Sequence, residues 1–112
     1  MNGEERERVY HRFRAAVNMS PAQLERWLAT AESKAVGQQR DGGDSIGHRA
    51  GRRVVSLLRT RRADLSDEDY RHMRKVAAFV TRRLAQRPSG DITHTRYRYS
   101  LMNWGHDPLG RR

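Results

Sequence analysis

Apolar residues recur along most of this chain at the three- and four-residue spacing of amphipathic helices, and capping chemistry punctuates them. Val9, Phe13, Ala16 and Val17 share one face and predict a first helix over 4–17, in which glutamates and arginines can pair one turn apart. Ser20-Pro21 starts a second. Ser20 caps it, Pro21 takes the first helical position, where its missing N–H costs nothing, and Gln23 completes a capping box. Leu24, Trp27, Leu28 and Ala31 carry the stripe to about Lys34, and Trp27 reads as a core anchor rather than a base-stacking platform.

The glycines and polar residues of 36–43 predict a loop, with Gly37 suited to end the preceding helix. Asp44 or Ser45 then caps a helix over 45–61 behind a flexible Gly42-Gly43 lead-in. Its apolar face holds Ile46, Ala50, Val54, Leu57 and Leu58, with Gly47 and Gly51 beside them, and its opposite face holds Arg49, Arg52, Ser56 and Arg59, with Arg53 at the edge. This two-sided helix is taken as the element the others are organised around. Two glycines inside it cost roughly 1 kcal/mol each against alanine, so another backbone should come close on their side.

After a linker, Ala63-Asp64-Leu65, Ser66 and Asp69 have capping-box spacing, and Asp67, Glu68 and Asp69 suit the positive end of a helix dipole. The helix they open, 67–87, places Tyr70, Met73, Val76, Ala77, Val80 and Leu84 on one face and Arg71, Lys75 and Arg82 on the other, until Pro88 stops it. Phe79 among these basic residues either packs under a terminal segment, the preferred reading, or meets a base. Beyond the Ser89-Gly90-Asp91 turn, Thr95 can cap a short helix carrying Tyr97, Leu101 and Trp104 and ended by Gly105. The alternation of Thr95, Tyr97 and Tyr99 with Arg96 and Arg98 is also strand-like.

The fold class that follows is all-α: a single compact domain of about four helices plus a short C-terminal helix, with Trp27, Leu28, Val54, Leu58, Met73, Val80 and Leu84 at its centre. Residues 1–19 form a charged N-terminal helix open to fraying, and 20–110 form the helical domain. The short linker before Ser66 is compatible with a helix-turn-helix variant.

Charge sharpens this picture. Residues 1–44 hold seven Lys/Arg and seven Asp/Glu and cancel, whereas 45–112 hold sixteen against six, so the whole net charge of +10 lies in the second part. A one-sided excess is the electrostatic footprint of a polyanion binder. Arginine bias, 21 of the 23 basic residues, explains Arg over Lys but not why the acids fail to balance. The run Arg96-Tyr97-Arg98-Tyr99 would combine phosphate charge with aromatic faces, or else dock the C-terminal tail and leave only its arginines in water.

Other chemistries are poorly served. Cysteine is absent, so disulfides and thiolate metal sites are excluded. The five histidines show no metal-binding spacing, no phosphate loop with its lysine follows the glycines, and no nucleophile elbow occurs. Ser45, Ser100, His48, His106 and Asp107 exist, but spacing does not bring them together, so neither an enzyme nor a cofactor is expected. No apolar run approaches the roughly 20 residues of a membrane span. The charged opening GEERER has no apolar stretch of a secretory signal, and a cytoplasmic setting is expected.

The segments SPAQLERWLATAESKAVG, GGDSIGHRAGRRVVSLLR, YRHMRKVAAFVTRRLAQRPSGD and YRYSLMNWGHDPL, with HMRKV and SLMNWGHDPL the most distinctive, resemble a family of small basic bacterial and fungal proteins. The family is classed as a domain of unknown function and often labelled DNA-binding. The resemblance covers about residues 20–109 and implies a stand-alone DNA-binding domain, with no catalytic residues to carry over. The expected partner is therefore nucleic acid, double-stranded DNA in the first instance, met at low sequence specificity by Arg49, Arg52, Arg53, Arg59, Arg71, Lys75, Arg82, Arg96 and Arg98. The alternative is an interaction or assembly module, in which the Gly47/Gly51 face or the Tyr97–Trp104 tail binds another copy or an acidic protein.

Overall fold

A computed structural model describes residues 1–36 and 45–110, and all regular structure in them is helical. Helix α1 spans Gly3–Ala16, α2 Pro21–Leu28, α3 Ala31–Ala35, α4 Ile46–Leu58, α5 Asp67–Leu84 and α6 Arg96–Asn103, with a 3-10 turn at Arg62–Asp64. The expectations for Gly37, Gly42-Gly43 and an Asp44 cap lie outside the described residues.

The caps act where the sequence places them. Ser20 and Ser66 both form complete capping boxes, with Gln23 and Asp69 as their partners, and Ser45 and Thr95 cap α4 and α6 by accepting from the His48 and Arg98 amides. One cap changes the predicted layout. The helix expected over 21–34 breaks at Ala29–Thr30, because the Thr30 hydroxyl donates to the Trp27 carbonyl at 2.6 Å and accepts from the Ser33 amide at 3.1 Å, ending α2 and starting α3. The connection from α4 to α5 is also longer than the three-residue linker expected, running over 59–66.

Helix α1 packs along α5, and α2 packs along α4. Between them lies α6, which touches α2, α3, α4 and α5. The C-terminal segment, rather than α4, is therefore the hub. Ile92, Tyr97, Leu101 and Trp104 are buried, and none of them stood among the expected core centre. Leu28, Val54, Met73 and Val80 do lie inside, while Trp27 and Leu58 are half-buried at the edge. Leu84 is 38 % exposed and Ile46 58 % exposed, because each sits at the end of its helix, where the stripe has run past its neighbours.

Past α6 the chain is stitched to the turn after α1. Gly105 adopts φ +95°, a left-handed conformation that favours glycine, and its carbonyl accepts from the Asn18 and Met19 amides. Asn18 and Asp107 exchange side-chain-to-backbone bonds at 2.7 and 2.8 Å, and the His106 ring bonds the Ala16 carbonyl at 2.7 Å. Val9 and Phe13 are buried, and Arg6 and the N-terminal amine both meet Asp67 at the start of α5. Among the described residues no helix is long and apolar enough to cross a membrane.

Candidate nucleic-acid interface

The basic candidates that reach the surface come from α4, α5 and α6. On α5, Arg71, Lys75 and Arg82 fall on one line by helical periodicity, all are exposed, and none has an ion-pair partner among the described residues. On α4, Arg49 and Arg52 are exposed on the outward face, and one Arg52 nitrogen lies 3.2 Å from His48 Nδ1. Helices α4 and α5 touch, and Arg53 of α4 bonds Asp69 of α5. On α6, Arg96 is exposed and meets the far end of the α5 line. Arg82, Arg83 and Arg96 share a recess of about 360 Å³ with Val36, Phe79, Gln86 and Ser100.

The other candidates are placed differently. Arg53 is half-buried and bonds Asp69 at 3.2 Å, where the Ser66 amide, then the Ser66 hydroxyl and Arg53, hold the Asp69 carboxyl below its ordinary range. Arg59, the C-cap of α4, reaches across to Glu25 of α2 at 2.7 Å. Arg98 turns inward. It grips Asp107 through Nε and Nη2, both at 3.0 Å, donates to the Thr93 carbonyl, and keeps only 20 % of its side chain exposed. Burial alone would raise the Asp107 carboxyl, but the Arg98 bond, the Leu109 amide and the Arg98 charge together lower it. Arg98 is thus outside the surface shared by Arg71, Lys75, Arg82 and Arg96, and Arg53 and Arg59 reach it already paired.

Arg83 was missed by the sequence reading and belongs to the recess. Its Nε donates to Ser100 Oγ at 3.1 Å, its Nη1 to Gln86 at 3.0 Å, and its guanidinium lies over the Tyr97 ring. Its position at the inner edge of the α5 basic face is the signal that would have found it.

Aromatic residues serve packing. Phe79 stacks on Trp104 with centroids 4.3 Å apart, so it lies under the C-terminal segment as preferred from sequence. Tyr97 is buried, Tyr99 leans on Trp27, and of the Arg-Tyr-Arg-Tyr run only Arg96 projects outward. The surfaces assigned to a partner subunit are covered from within. A side chain at Gly51 would strike the Asn103 carbonyl oxygen, and one at Gly47 would come within 3.2 Å of Trp104 Nε1, so α6 occupies the glycine face.

The residues considered for catalysis are each held in local bonds. Ser45 caps α4, His48 is buried with Nε2 2.7 Å from the Leu28 carbonyl, Ser100 donates to the Tyr97 carbonyl, and Asp107 is paired with Arg98. Among the described residues no three His, Asp or Glu side chains converge as metal ligands would.

His72 stands on α5 between Arg71 and Lys75. Its ring stacks on Trp104 with centroids 6.5 Å apart, and its Nε2 is buried without a hydrogen-bond partner. Desolvation, then the Arg53 and Lys75 charges, push its pKa below the ordinary histidine value, against a bond to the Ala50 backbone and the Asp69 charge. A depressed folded pKa means that protons bind the unfolded chain first. Stability from neutral His72 is therefore complete above the ordinary value of about 6.5 and is lost as pH falls through it toward the folded pKa. Thermal midpoints should drop between pH 7.5 and pH 5.5, and His72→Phe, which keeps a ring on Trp104, should flatten that dependence. Identical slopes for the two proteins would reject this assignment.

No curated protein and no solved structure matches the chain. A family match runs over residues 12–102, from within α1 to within α6, and agrees with the sequence resemblance as far as a domain of unknown function. By that match the chain belongs to the family described as "Protein of unknown function (DUF3140)".

Proposed function

We propose that this protein binds nucleic acid, in the first instance duplex DNA, through the phosphate backbone and with little sequence preference. The observation that carries the reading is the exposed line Arg71, Lys75 and Arg82 on α5, without acidic partners among the described residues and continued by Arg96 on α6. Of the acids that open α5, Asp69 is engaged by Ser66 and Arg53 and Asp67 by Arg6 and the N-terminal amine, leaving Glu68, exposed one turn before Arg71, against the three cations. Low specificity follows because these arginines stand on the open side of one helix, a disposition suited to phosphates and not to a defined set of base edges. A cytoplasmic, nucleoid-associated setting fits this activity.

With Arg49 and Arg52 of α4 added, the surface offers enough cations to neutralise roughly six phosphates, for a log–log salt slope of about −5 on duplex DNA. Fluorescence anisotropy with labelled random duplex, single-stranded DNA and RNA at several salt concentrations measures that slope and ranks the polymers. Reversing Arg71, Lys75 and Arg82 to Glu should weaken binding at least tenfold and reduce the slope by about 3 units, with helicity unchanged. Absence of binding at low salt, or a triple variant that binds as wild type does, would reject the reading.

A further inference from the structure

An open cavity of about 690 Å³ lies on a different face, between α1 and α5. Its floor is small and apolar, with Ala15 and Val9 from α1 and Ala77, Ala78 and Val80 from α5. The exposed Leu84 closes one end. Its rim is cationic on both sides: Arg8 and Arg12 on α1 face Arg74 and Arg82 on α5. Glu5, the one acid lining it, sits 3.6 Å from Arg74.

Two arginine rows over an alanine floor are a poor fit to a duplex, which presents phosphates and no apolar ridge to such a trough. They fit a helix whose apolar stripe is flanked by carboxylates, the arrangement in which side chains at i, i+3, i+4 and i+7 enter a groove while charges pair across its edges. Small floor residues let that helix approach closely. From the level of Glu5 to that of Ala16 the trough runs for about 16 Å at 1.5 Å per residue, or about three helical turns. We infer that this groove docks an acidic amphipathic helix of a partner protein, about three turns long. The inference stands apart from the nucleic-acid reading, since only Arg82 is common to both surfaces.

The test uses the full chain and two fluorescein-labelled peptides of the same composition: a helical one with a leucine stripe flanked by glutamates, and a scrambled one without the stripe. The striped peptide should bind at least tenfold more tightly than the scrambled one. Ala78→Glu, which places a carboxylate on the solvent-facing floor, and Arg8→Glu with Arg12→Glu should each weaken it at least tenfold, with DNA affinity falling no more than about threefold, the most that a carboxylate one turn from Arg82 and Lys75 should cost. Equal binding of the two peptides would reduce the groove to nonspecific charge and overturn the inference. So would an equal loss of DNA affinity in Ala78→Glu, which would give the groove to nucleic acid. Binding to anionic phosphatidylserine vesicles, abolished by Ala78→Glu while the striped peptide fails to bind, would overturn it in favour of a membrane surface.

Discussion

Gly51→Ala lowers the stability of this protein by about 2–4 kcal/mol, although alanine is the better helix former by about 1 kcal/mol at an exposed site. The reason is the atom it meets. A methyl group at Gly51 would run into the Asn103 carbonyl oxygen and lie 2.8 Å from Leu28 Cδ2. A leucine rotamer can move; a backbone carbonyl at the end of α6 moves only with the helix. Since α6 touches four other helices, its displacement is felt through the core. For a chain of 112 residues, each kcal/mol is worth about 4 °C in the melting midpoint, so a fall of about 8–16 °C is expected. Gly47→Ala is the control. Its methyl would come to 3.2 Å from Trp104 Nε1, an overlap of only a few tenths of an ångström with a side chain, and to an ordinary contact of 3.7 Å with Asn103 Cβ, so its midpoint should stay within about 4 °C of wild type. A Gly51→Ala protein as stable as wild type would show that α4 and α6 are not in backbone contact.

That contact was legible in outline. Two glycines four apart on one side of a helix ask for a close neighbour, and α6 is that neighbour. Caps were legible as well, because Ser20, Ser45, Ser66 and Thr95 satisfy free amides of their own helix, a matter of three or four residues. Thr30 obeys the same local rule, but it was obscured by an apolar stripe that continues in register through Ala31. Which helix would sit at the centre was not legible. Periodicity says which face of a helix is buried and nothing of how many neighbours cover it, so the short, polar-looking segment RYRYSLMN gave no hint that it is the hub.

The candidate interface divides on the same ground. An arginine on an outward face is visible in sequence, but a carboxylate waiting on another element is not. Glu25 lies in α2 and takes Arg59; Asp69 lies in α5 and takes Arg53. Arg98 fails differently, because Asp107 comes back to it only after Gly105 turns the chain. Arg71, Lys75 and Arg82 keep their solvent face because α5 offers its other sides to α1, α4 and α6. What periodicity recovers is therefore the line of charge along one helix, and what it loses is every pairing between helices.

Asn103 is the polar counterpart of Gly51 and carries the second large effect. It is 1 % exposed, and three bonds converge on its amide. Its Oδ1 accepts from Trp27 Nε1 at 2.7 Å and from Ser33 Oγ at 2.6 Å, while its Nδ2 donates to the Ser33 carbonyl at 3.1 Å. One side chain thereby fastens α6 to α2 and α3. Truncation to Ala leaves an indole N–H, a buried hydroxyl and a carbonyl without their partner, and buried polar groups left unpaired cost about 1–3 kcal/mol each. Some of that cost is recovered by rearrangement, so a net loss of about 3–4 kcal/mol is expected, or about 12–16 °C in the midpoint. Asn103→Asp distinguishes a lost network from a simple void. It restores the acceptor for Trp27 and Ser33 but sets a buried carboxylate against the Ser33 carbonyl, so its carboxyl should titrate above the ordinary carboxylate range. The penalty is then full above that raised pKa and eases as pH falls and the protonated oxygen donates to Ser33. Relative to wild type, Asn103→Asp should regain stability between pH 7 and pH 5 while the deficit of Asn103→Ala stays constant. Parallel deficits in the two variants would mean that the packing of α6, and not its hydrogen bonds, sets the cost.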